Sequence, residues 1–275
     1  MSNGEQIVLV DGARTPIGSF GGALKDVPAH ELGGAAARAA LARSGIAPDE
    51  VDEVVMGCIG QIGADAFNAR RVARAAGLPV SVPAYTVNRL CGSGLQAIWS
   101  AAMQMRWGGV DVALAGGDES MSRMPFYDFN GRSGWKLGDR KLADGTVMML
   151  TDPFDGVHMG VTAENVAAKY QVSRQEQDEF ALESQRKAAS VNSRAAFVEE
   201  MIPVEGGSTR SPRTSTLGRT RRRTSLPVCG RCSGRTGPSR PVTRRASMTA
   251  REPWCSPGRR LPGSAGSPAW RPWRP

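Results

Sequence analysis

The sequence has few cysteines and no long apolar run, and each shortage excludes a class of protein. Five cysteines in 275 residues are too few for the disulfide framework of a small secreted domain. No apolar run approaches the ~20 residues that cross a membrane, and the run at residues 7–10 is too short for the apolar core of a signal peptide. We therefore expect a cytoplasmic protein that does not span a membrane.

Acidic residues almost disappear after residue 205, and lysine disappears entirely. Residues 206–275, which we call the tail, contain 16 arginines, no lysine and a single acid, Glu252, so the tail carries a charge of +15. The whole chain carries +9, which leaves −6 for the first 205 residues. The basic character of the chain therefore belongs to the tail alone.

Three interpretations of the tail are open. A disordered basic segment could bind nucleic acid or acidic surfaces, with tryptophans such as Trp254 stacking on bases. Cys229 and Cys232 form a CxxC pair that could be half of a metal site, although no second pair accompanies it. A high content of arginine, proline and glycine is also expected when GC-rich DNA is translated out of frame.

A cysteine lies between a predicted strand and a predicted helix. Residues 83–87 form a short β-rich run, and apolar residues then recur at helical spacing over residues 92–107. Cys91 therefore falls at or just before a helix N-terminus, where unpaired N–H groups and the helix dipole favour anionic sulfur. Gly92 and Gly94 leave room for a substrate. The pattern favours a nucleophile, but a lone cysteine is also commonly a small buried hydrophobe.

Strands and helices alternate over residues 1–119, which we interpret as an α/β core. The predicted strands cover residues 7–10, 51–59, 83–87 and 110–115. The predicted helices cover residues 32–44, 64–76 and 92–107. Continuous apolar strands indicate a mostly parallel sheet covered on both faces, and reactive groups gather at the carboxyl ends of such strands.

Periodicity weakens from about residue 120, where glycine, aspartate, methionine and aromatic residues become frequent. Helices are predicted again at residues 161–170 and 173–196, and Ser173 with Glu176 forms a capping box. We interpret residues 120–205 as a second, loop-rich domain. The tail follows this domain as an irregular segment.

Four motifs, in order along the chain, resemble those of the thiolase family. They are GARTP at residues 12–16 with Gly18, VNRLCGSGLQ at 87–96, GGDESMS at 116–122 and HMGVTAENVA at 158–167. The resemblance covers residues 1 to about 205. It implies a thiolase-like α/β fold with αβαβα layers built from two similar halves, of which this chain holds the N-terminal half and part of the loop domain.

The resemblance also implies an activity and a site. Thiolases join or cleave acyl-CoA units through an acyl-cysteine, and the short biosynthetic type acts on acetyl-CoA and acetoacetyl-CoA. Cys91 would be the acylated nucleophile. His158 matches a loop-domain histidine near the pantetheine of coenzyme A, and Met159 would line the same pocket; a solvated loop histidine is the alternative. Neither a metal nor a cofactor is implied, because coenzyme A belongs to the substrate, and homo-oligomers are expected.

Three family motifs are absent from the sequence as printed: Gly-His-Pro, Asn-Glu-Ala-Phe and Cys-x-Gly-Gly. They would supply the bases and oxyanion donors that the reaction needs. His30, the other histidine, is expected to be exposed or to cap a helix. We therefore expect impaired activity, and the competing hypothesis is a catalytically dead relative whose basic tail binds anionic partners.

The genetic code favours the out-of-frame interpretation of the tail. Read in another frame, codons for residues 235–250 permit the string DGTVTAGNASGINDG, which resembles the thiolase segment that follows the loop domain. Some of the match is forced, because Met248-Thr249 requires an aspartate in that frame and Trp254-Cys255 requires a valine. We hypothesise that the gene shifts frame shortly after Val204, which would leave the tail without an evolved fold.

Overall fold

The computed structural model describes residues 6–61 and 63–204. The predictions made for the tail therefore lie outside the described residues. Within the part of the chain that is described, no helix is both long and apolar enough to cross a bilayer.

A parallel sheet forms the centre of the fold. Its strands are β1 (Glu53–Gly57), β2 (Ala84–Val87) and β3 (Ala113–Gly117). They lie in the order β2-β1-β3, so that Val55 of the central strand is opposite Tyr85 on one side and Ala115 on the other. The three apolar runs predicted as strands after residue 50 overlap these elements, and the predicted parallel sheet is confirmed.

Helices cover both faces of this sheet. They are α1 (Ala29–Ser44), α2 (Asn68–Ala75) and α3 (Ser93–Trp107). Successive side chains of a strand point to opposite faces, so Val54 and Met56 pack in the cluster that includes α1 and α2 while Val55 packs against Ala97 and Ala101 of α3. The predicted helix at residues 64–76 is split, because a 3-10 turn at Gly63–Phe67 precedes α2.

The predicted strand at residues 7–10 does not form. Leu9 is 80% exposed, and a strand without a neighbour leaves its backbone groups unpaired. Among the described residues, the first backbone-to-backbone pairing with another segment is at Arg14, whose N–H donates to the Glu200 carbonyl at 3.0 Å and whose carbonyl accepts from Ile202 at 2.9 Å. The apolar run is suitable for a strand, but no strand of the described chain pairs with it.

Residues 120–204 contain a small antiparallel pair of strands and four helices. They are β4 (Phe126–Tyr127), β5 (Ala143–Asp144), α4 (Gly145–Met149), α5 (Met159–Lys169), α6 (Arg174–Ala189) and α7 (Val191–Glu200). The capping box of Ser173 and Glu176 is confirmed at the start of α6. The predicted helix at residues 173–196 is interrupted at Ser190, whose extended backbone ends α6 and whose hydroxyl caps α7 by accepting from Ser193.

One face of α3 carries large apolar side chains that remain exposed. Leu95 is 75% exposed, Trp99 63% and Trp107 68%, while Ala97 and Ala101 on the opposite face are buried against the sheet. A surface helix of a soluble protein usually presents polar residues outward. We call these three residues, with Met103, the outer face of α3.

Candidate active site

The three parallel strands end at one edge of the sheet, and the polar residues of the candidate site follow them directly. Cys58 follows β1, the segment that leads to Cys91 follows β2, and Asp118 with Glu119 follows β3. This is the edge at which parallel sheets place their ligands. The arrangement confirms the expectation that Cys91 lies at the carboxyl end of a strand.

Cys91 is exposed and lies two residues before the first residue of α3. Gly92 is the N-cap of the helix and makes no side-chain cap. The Gly92 N–H donates to the Arg89 carbonyl at 3.1 Å, which closes a turn around the cysteine. The predicted position just before a helix N-terminus is therefore confirmed.

Leu90, immediately before the cysteine, has a left-handed backbone with φ of 47°. This conformation costs an L-residue other than glycine roughly 1–2 kcal/mol, because Cβ approaches the following carbonyl oxygen. The Leu90 N–H donates to Asn88 Oδ1 at 3.0 Å. Such strain persists where surrounding contacts fix the backbone, and it is typical of functional turns.

Ser93 fixes this turn through its hydroxyl. The Oγ atom accepts from the Arg89 N–H at 2.8 Å and donates to the Leu90 carbonyl at 2.6 Å. The side chain is buried, with 4% of its surface exposed. Sequence analysis did not identify this residue; the available signal was a hydroxyl side chain at the first position of a helix that directly follows the nucleophile.

Two glycines allow the first turn of α3 to pack closely against the ends of β1 and β3. A Cβ at Gly57 would lie 2.7 Å from the backbone nitrogen of Gly94 and closer still to the carbonyl carbon of Ser93. A Cβ at Gly117 would lie 3.2 Å from the Gly94 Cα. Real Cβ atoms do not make contacts as short as those at Gly57. The backbone of α3 therefore touches β1 only because Gly57 has no side chain.

A carboxyl group that is largely withdrawn from water follows β3 at the same edge of the sheet. Asn68 Nδ2 donates to Asp118 Oδ1 at 2.7 Å. Asp118 Oδ2 is shielded from solvent and lacks a geometrically ideal hydrogen bond within the described part of the chain. Desolvation raises the pKa of Asp118 to about 6, against the lowering effect of hydrogen bonds from Asn68 and Cys58. The same burial, with the nearby carboxylates of Glu119 and Asp118, raises the pKa of the Cys58 thiol. Cys58 is therefore a protonated structural thiol.

Glu119 organises the loop that follows β1. Its carboxylate accepts from the Ile59 N–H at 2.8 Å and from the Gly60 N–H at 3.2 Å. Two backbone donors on one carboxylate are a strong arrangement. This acidic side chain therefore has structural partners in the loop after β1.

His30 is not exposed, and the expectation that it is exposed or caps a helix is wrong. It lies one residue inside α1, which begins after Pro28 without a side-chain cap, and only 9% of its surface is exposed. Its Nδ1 is 3.7 Å from Asp65 Oδ1, and Arg71 binds the same oxygen at 2.6 Å. Burial, and then the Arg71 charge, lower the pKa of His30.

His158 is the N-cap of α5. Its Nδ1 accepts from the Gly160 N–H at 3.0 Å, so the neutral ring carries its proton on Nε2 and offers a donor there. Met159 is 49% exposed and donates its N–H to the Leu150 carbonyl at 2.9 Å. Cys91 precedes α3 and His158 precedes α5, so the two predicted site residues lie on separate elements. Among the described residues, no hydrogen bond joins them.

Two of the four sequence motifs line one cavity of about 340 Å³. Residues 13–20 form one wall and residues 117–122 the other, with Leu32 and Gly33 of α1 between them. Cys91 does not line this space. In the described part of the chain, no group of three or more histidine, cysteine or acidic side chains is arranged to hold a metal ion.

Comparison with known proteins identifies relatives. A family profile described as "Thiolase, N-terminal domain" matches residues 7–224. A probable acetyl-CoA acyltransferase from Staphylococcus epidermidis is 46% identical over 201 residues, which are 73% of this chain and 51% of that protein. The chain spans about half the length of the curated relatives it matches.

Two crystal structures share the fold described above. The acetyl-CoA acetyltransferase of Bacillus anthracis matches with a TM-score of 0.70 and 41% identity, over 74% of this chain and 52% of that chain. Human mitochondrial 3-ketoacyl-CoA thiolase in complex with CoA matches with a TM-score of 0.68 and 43% identity, over 71% and 50%.

Proposed function

This chain belongs to the thiolase family, and we propose that it carries the nucleophile half of an acyltransferase site. The observation that supports this most strongly is the position of Cys91, exposed just before the N-terminus of α3 at the carboxyl edge of a parallel sheet. The thiolate form of an exposed cysteine at this place is suited to attack a thioester.

The reaction we propose is acyl transfer from an acyl-CoA. The Cys91 thiolate attacks the thioester carbonyl carbon, a new carbon–sulfur bond forms, and coenzyme A leaves as the thiolate. In the second step, the enolate of another acyl-CoA attacks the acyl-cysteine and releases Cys91. Acetyl-CoA and acetoacetyl-CoA are the substrates we favour, and the names of the relatives, which include an acetyl-CoA acetyltransferase, support this choice.

We assign a binding role to the start of α5. The Nε2–H of His158 is suited to donate to an amide carbonyl, such as those of the pantetheine arm. Met159 adds an exposed apolar surface beside it, and a thioether side chain adapts to flexible ligands. The related human thiolase was crystallised with CoA, which supports a coenzyme A ligand for this family member.

The carbon–carbon step needs groups that the described residues do not place at Cys91. No histidine of the described chain forms a hydrogen bond with Cys91, and Glu119 is held by backbone donors. Removal of one oxyanion donor typically slows an enzyme about 10²–10³-fold. We therefore propose that this chain alone acquires an acyl group at Cys91 but is impaired in condensation and thiolysis.

Acylation can be tested directly on the full chain. The protein is mixed with acetyl-CoA, quenched in acid and digested, and the peptide that contains Cys91 is examined by mass spectrometry. We expect one acetyl group on this peptide in the wild type and in Cys58→Ser, the control for the buried thiol, and none in Cys91→Ser. Acetylation that persists in Cys91→Ser, or its absence in the wild type, would contradict the proposal.

A further inference from the structure

We propose that Ser93 is a positioning residue for Cys91: its hydroxyl holds Leu90 in the left-handed conformation that presents the sulfur at the start of α3. This inference rests on the proposed nucleophilic role of Cys91. It concerns the backbone that displays the sulfur and not the groups that react with it.

The hydroxyl of Ser93 bridges both sides of the strained residue. It accepts from the N–H of Arg89, which precedes Leu90, and donates to the carbonyl of Leu90 itself. The Ser93 N–H donates to that same carbonyl at 2.9 Å. The peptide group between Asn88 and Arg89 and the peptide group between Leu90 and Cys91 are therefore both tied to Ser93. This restricts rotation about the backbone bonds of the two residues between them, Arg89 and Leu90.

The contacts of the hydroxyl are directed to the turn and not to the helix. Ser93 is the first residue of α3, and the N-cap position belongs to Gly92, which provides no side-chain cap. Because the serine side chain is buried, water does not compete for its donor or its acceptor. Serine hydroxyls commonly bond to backbone groups three or four residues earlier, and here those groups belong to the turn that precedes the helix.

Ser93 itself is packed closely against the sheet. The backbone of Ser93 lies directly on Gly57 at the end of β1, at a spacing that leaves no room for a Cβ. The turn is thus fixed to the central strand of the sheet through Ser93. Since only one residue separates Leu90 from Gly92, the N-cap of the helix, the backbone of Leu90 determines where the Cys91 sulfur lies relative to the helix N-terminus.

Alkylation of Cys91 by iodoacetamide measures this geometry without any requirement for acyl-CoA binding. In that reaction the thiolate displaces iodide from carbon, and the tryptic peptide of residues 90–106 reports the product. We expect Ser93→Ala to slow alkylation about tenfold. Without the hydroxyl, Leu90 loses the bonds that hold it in the left-handed conformation. The cost of that conformation, roughly 1–2 kcal/mol, corresponds to about a tenfold fall in its population. Ser100→Ala is the matched control, because Ser100 is a partly buried serine of the same helix that bonds to Gln96; it should react like the wild type.

A second substitution separates positioning from packing. Asparagine adopts the left-handed region several times more readily than leucine, and Leu90 is 57% exposed. Leu90→Asn should therefore restore most of the rate in the Ser93→Ala background and change little on its own. A packing defect at Ser93 would not be repaired by a change at an exposed neighbour.

The outcomes are distinct. A wild-type rate in Ser93→Ala, or a slow rate that Leu90→Asn does not restore, would overturn the inference. If Ser93→Ala does not fold, Ser93→Cys is used, because it keeps the buried volume and weakens both hydrogen bonds. Tandem mass spectra then distinguish alkylation of Cys91 from alkylation of the new cysteine. The inference then requires that Leu90→Asn restore the alkylation rate in the Ser93→Cys background. A wild type that is alkylated normally but never acetylated would contradict the proposed function and would leave this test of Ser93 valid.

Discussion

At the scale of single residues, one edge of the sheet carries both an exposed thiol, Cys91, and a shielded carboxyl group, Asp118. Cys91 could be found from sequence because its neighbours in the chain define its environment: a strand before it and a helix after it. Ser93 and Asp118 could not, since their roles depend on which backbone or side-chain atoms face them after folding. For Asp118 that partner is Asn68, fifty residues away along the chain.

Asp118 gives the fold a predictable dependence on pH. Its pKa is raised from 3.8 to about 6, so the folded state binds the proton more tightly than the unfolded state does. The stability that protonated Asp118 contributes is complete below about pH 4 and is lost as pH rises through about 6. Asp118→Asn keeps a similar shape and has no charge to bury.

We expect Asp118→Asn to be more stable than the wild type well above pH 6, by an amount on the order of 2 kcal/mol after discount for partial exposure. The difference should shrink toward zero near pH 4. Urea unfolding of both proteins over this range measures it. Asp139→Asn, at an exposed loop position, is the control and should match the wild type throughout; a pH-independent difference for Asp118→Asn would contradict the assignment.

At the scale of elements, local patterns predicted most helices and strands, and non-local pairing decided the exceptions. The helix after Cys91 was predicted at residues 92–107 and is observed at Ser93–Trp107. Residues 7–10 have the composition of a strand, but a strand also needs a neighbour, which composition does not specify. The interruption at Ser190 was missed because serine is tolerated in helices and caps them equally well.

The close packing of α3 against the end of β1 provides a second prediction. Gly57→Ala places a methyl group against the backbone of Ser93 and Gly94, so the first turn of α3 must move. We expect a loss of about 1–3 kcal/mol in the free energy of unfolding and a lower rate of Cys91 alkylation. Chemical denaturation and the iodoacetamide assay measure the two effects.

Gly116→Ala is a closely matched control for that substitution. Gly116 lies on the neighbouring strand β3, and a Cβ there would lie 3.5 Å from the flexible end of Met56, which is an ordinary contact. We expect Gly116→Ala to leave both stability and alkylation near wild-type values. Equal effects of the two alanines would mean that the contact between β1 and α3 does not position Cys91.

At the scale of the whole molecule, the outer face of α3 determines behaviour in solution. Exposed apolar patches of this kind promote association, because burial of apolar surface lowers the free energy by about 25 cal/mol per Å². We expect the purified chain to be poorly soluble and to sediment as concentration-dependent assemblies. Trp99→Gln combined with Trp107→Gln should reduce this association.

Phe154→Gln serves as the control for those substitutions, because Phe154 is 93% exposed and belongs to the loop between α4 and α5. It removes a comparable aromatic side chain without altering the outer face. Analytical ultracentrifugation of the three proteins makes the comparison. A cooperative, monomeric unfolding transition of the wild type at high concentration would contradict the prediction.

The tail carries a prediction about the gene product itself. If the frame shifts shortly after Val204, peptides of the protein purified from its source should match the other frame after that point, and its mass should approach that of the longer relatives. Peptides that match residues 206–275 as printed would refute the frameshift. In that case, salt-sensitive retention on nucleic acid that vanishes when the tail is deleted would favour the binding hypothesis.

The bonds between Arg14 and residues 200–202 have a consequence for protein engineering. They place Arg14, near the start of the described unit, beside its last helix, so the two ends of this unit are neighbours. Adjacent ends permit circular permutation. A short linker from residue 204 back to the segment before Arg14, with new termini opened in the exposed loop at residues 136–142, would preserve every contact of the sheet and of the turn that carries Cys91.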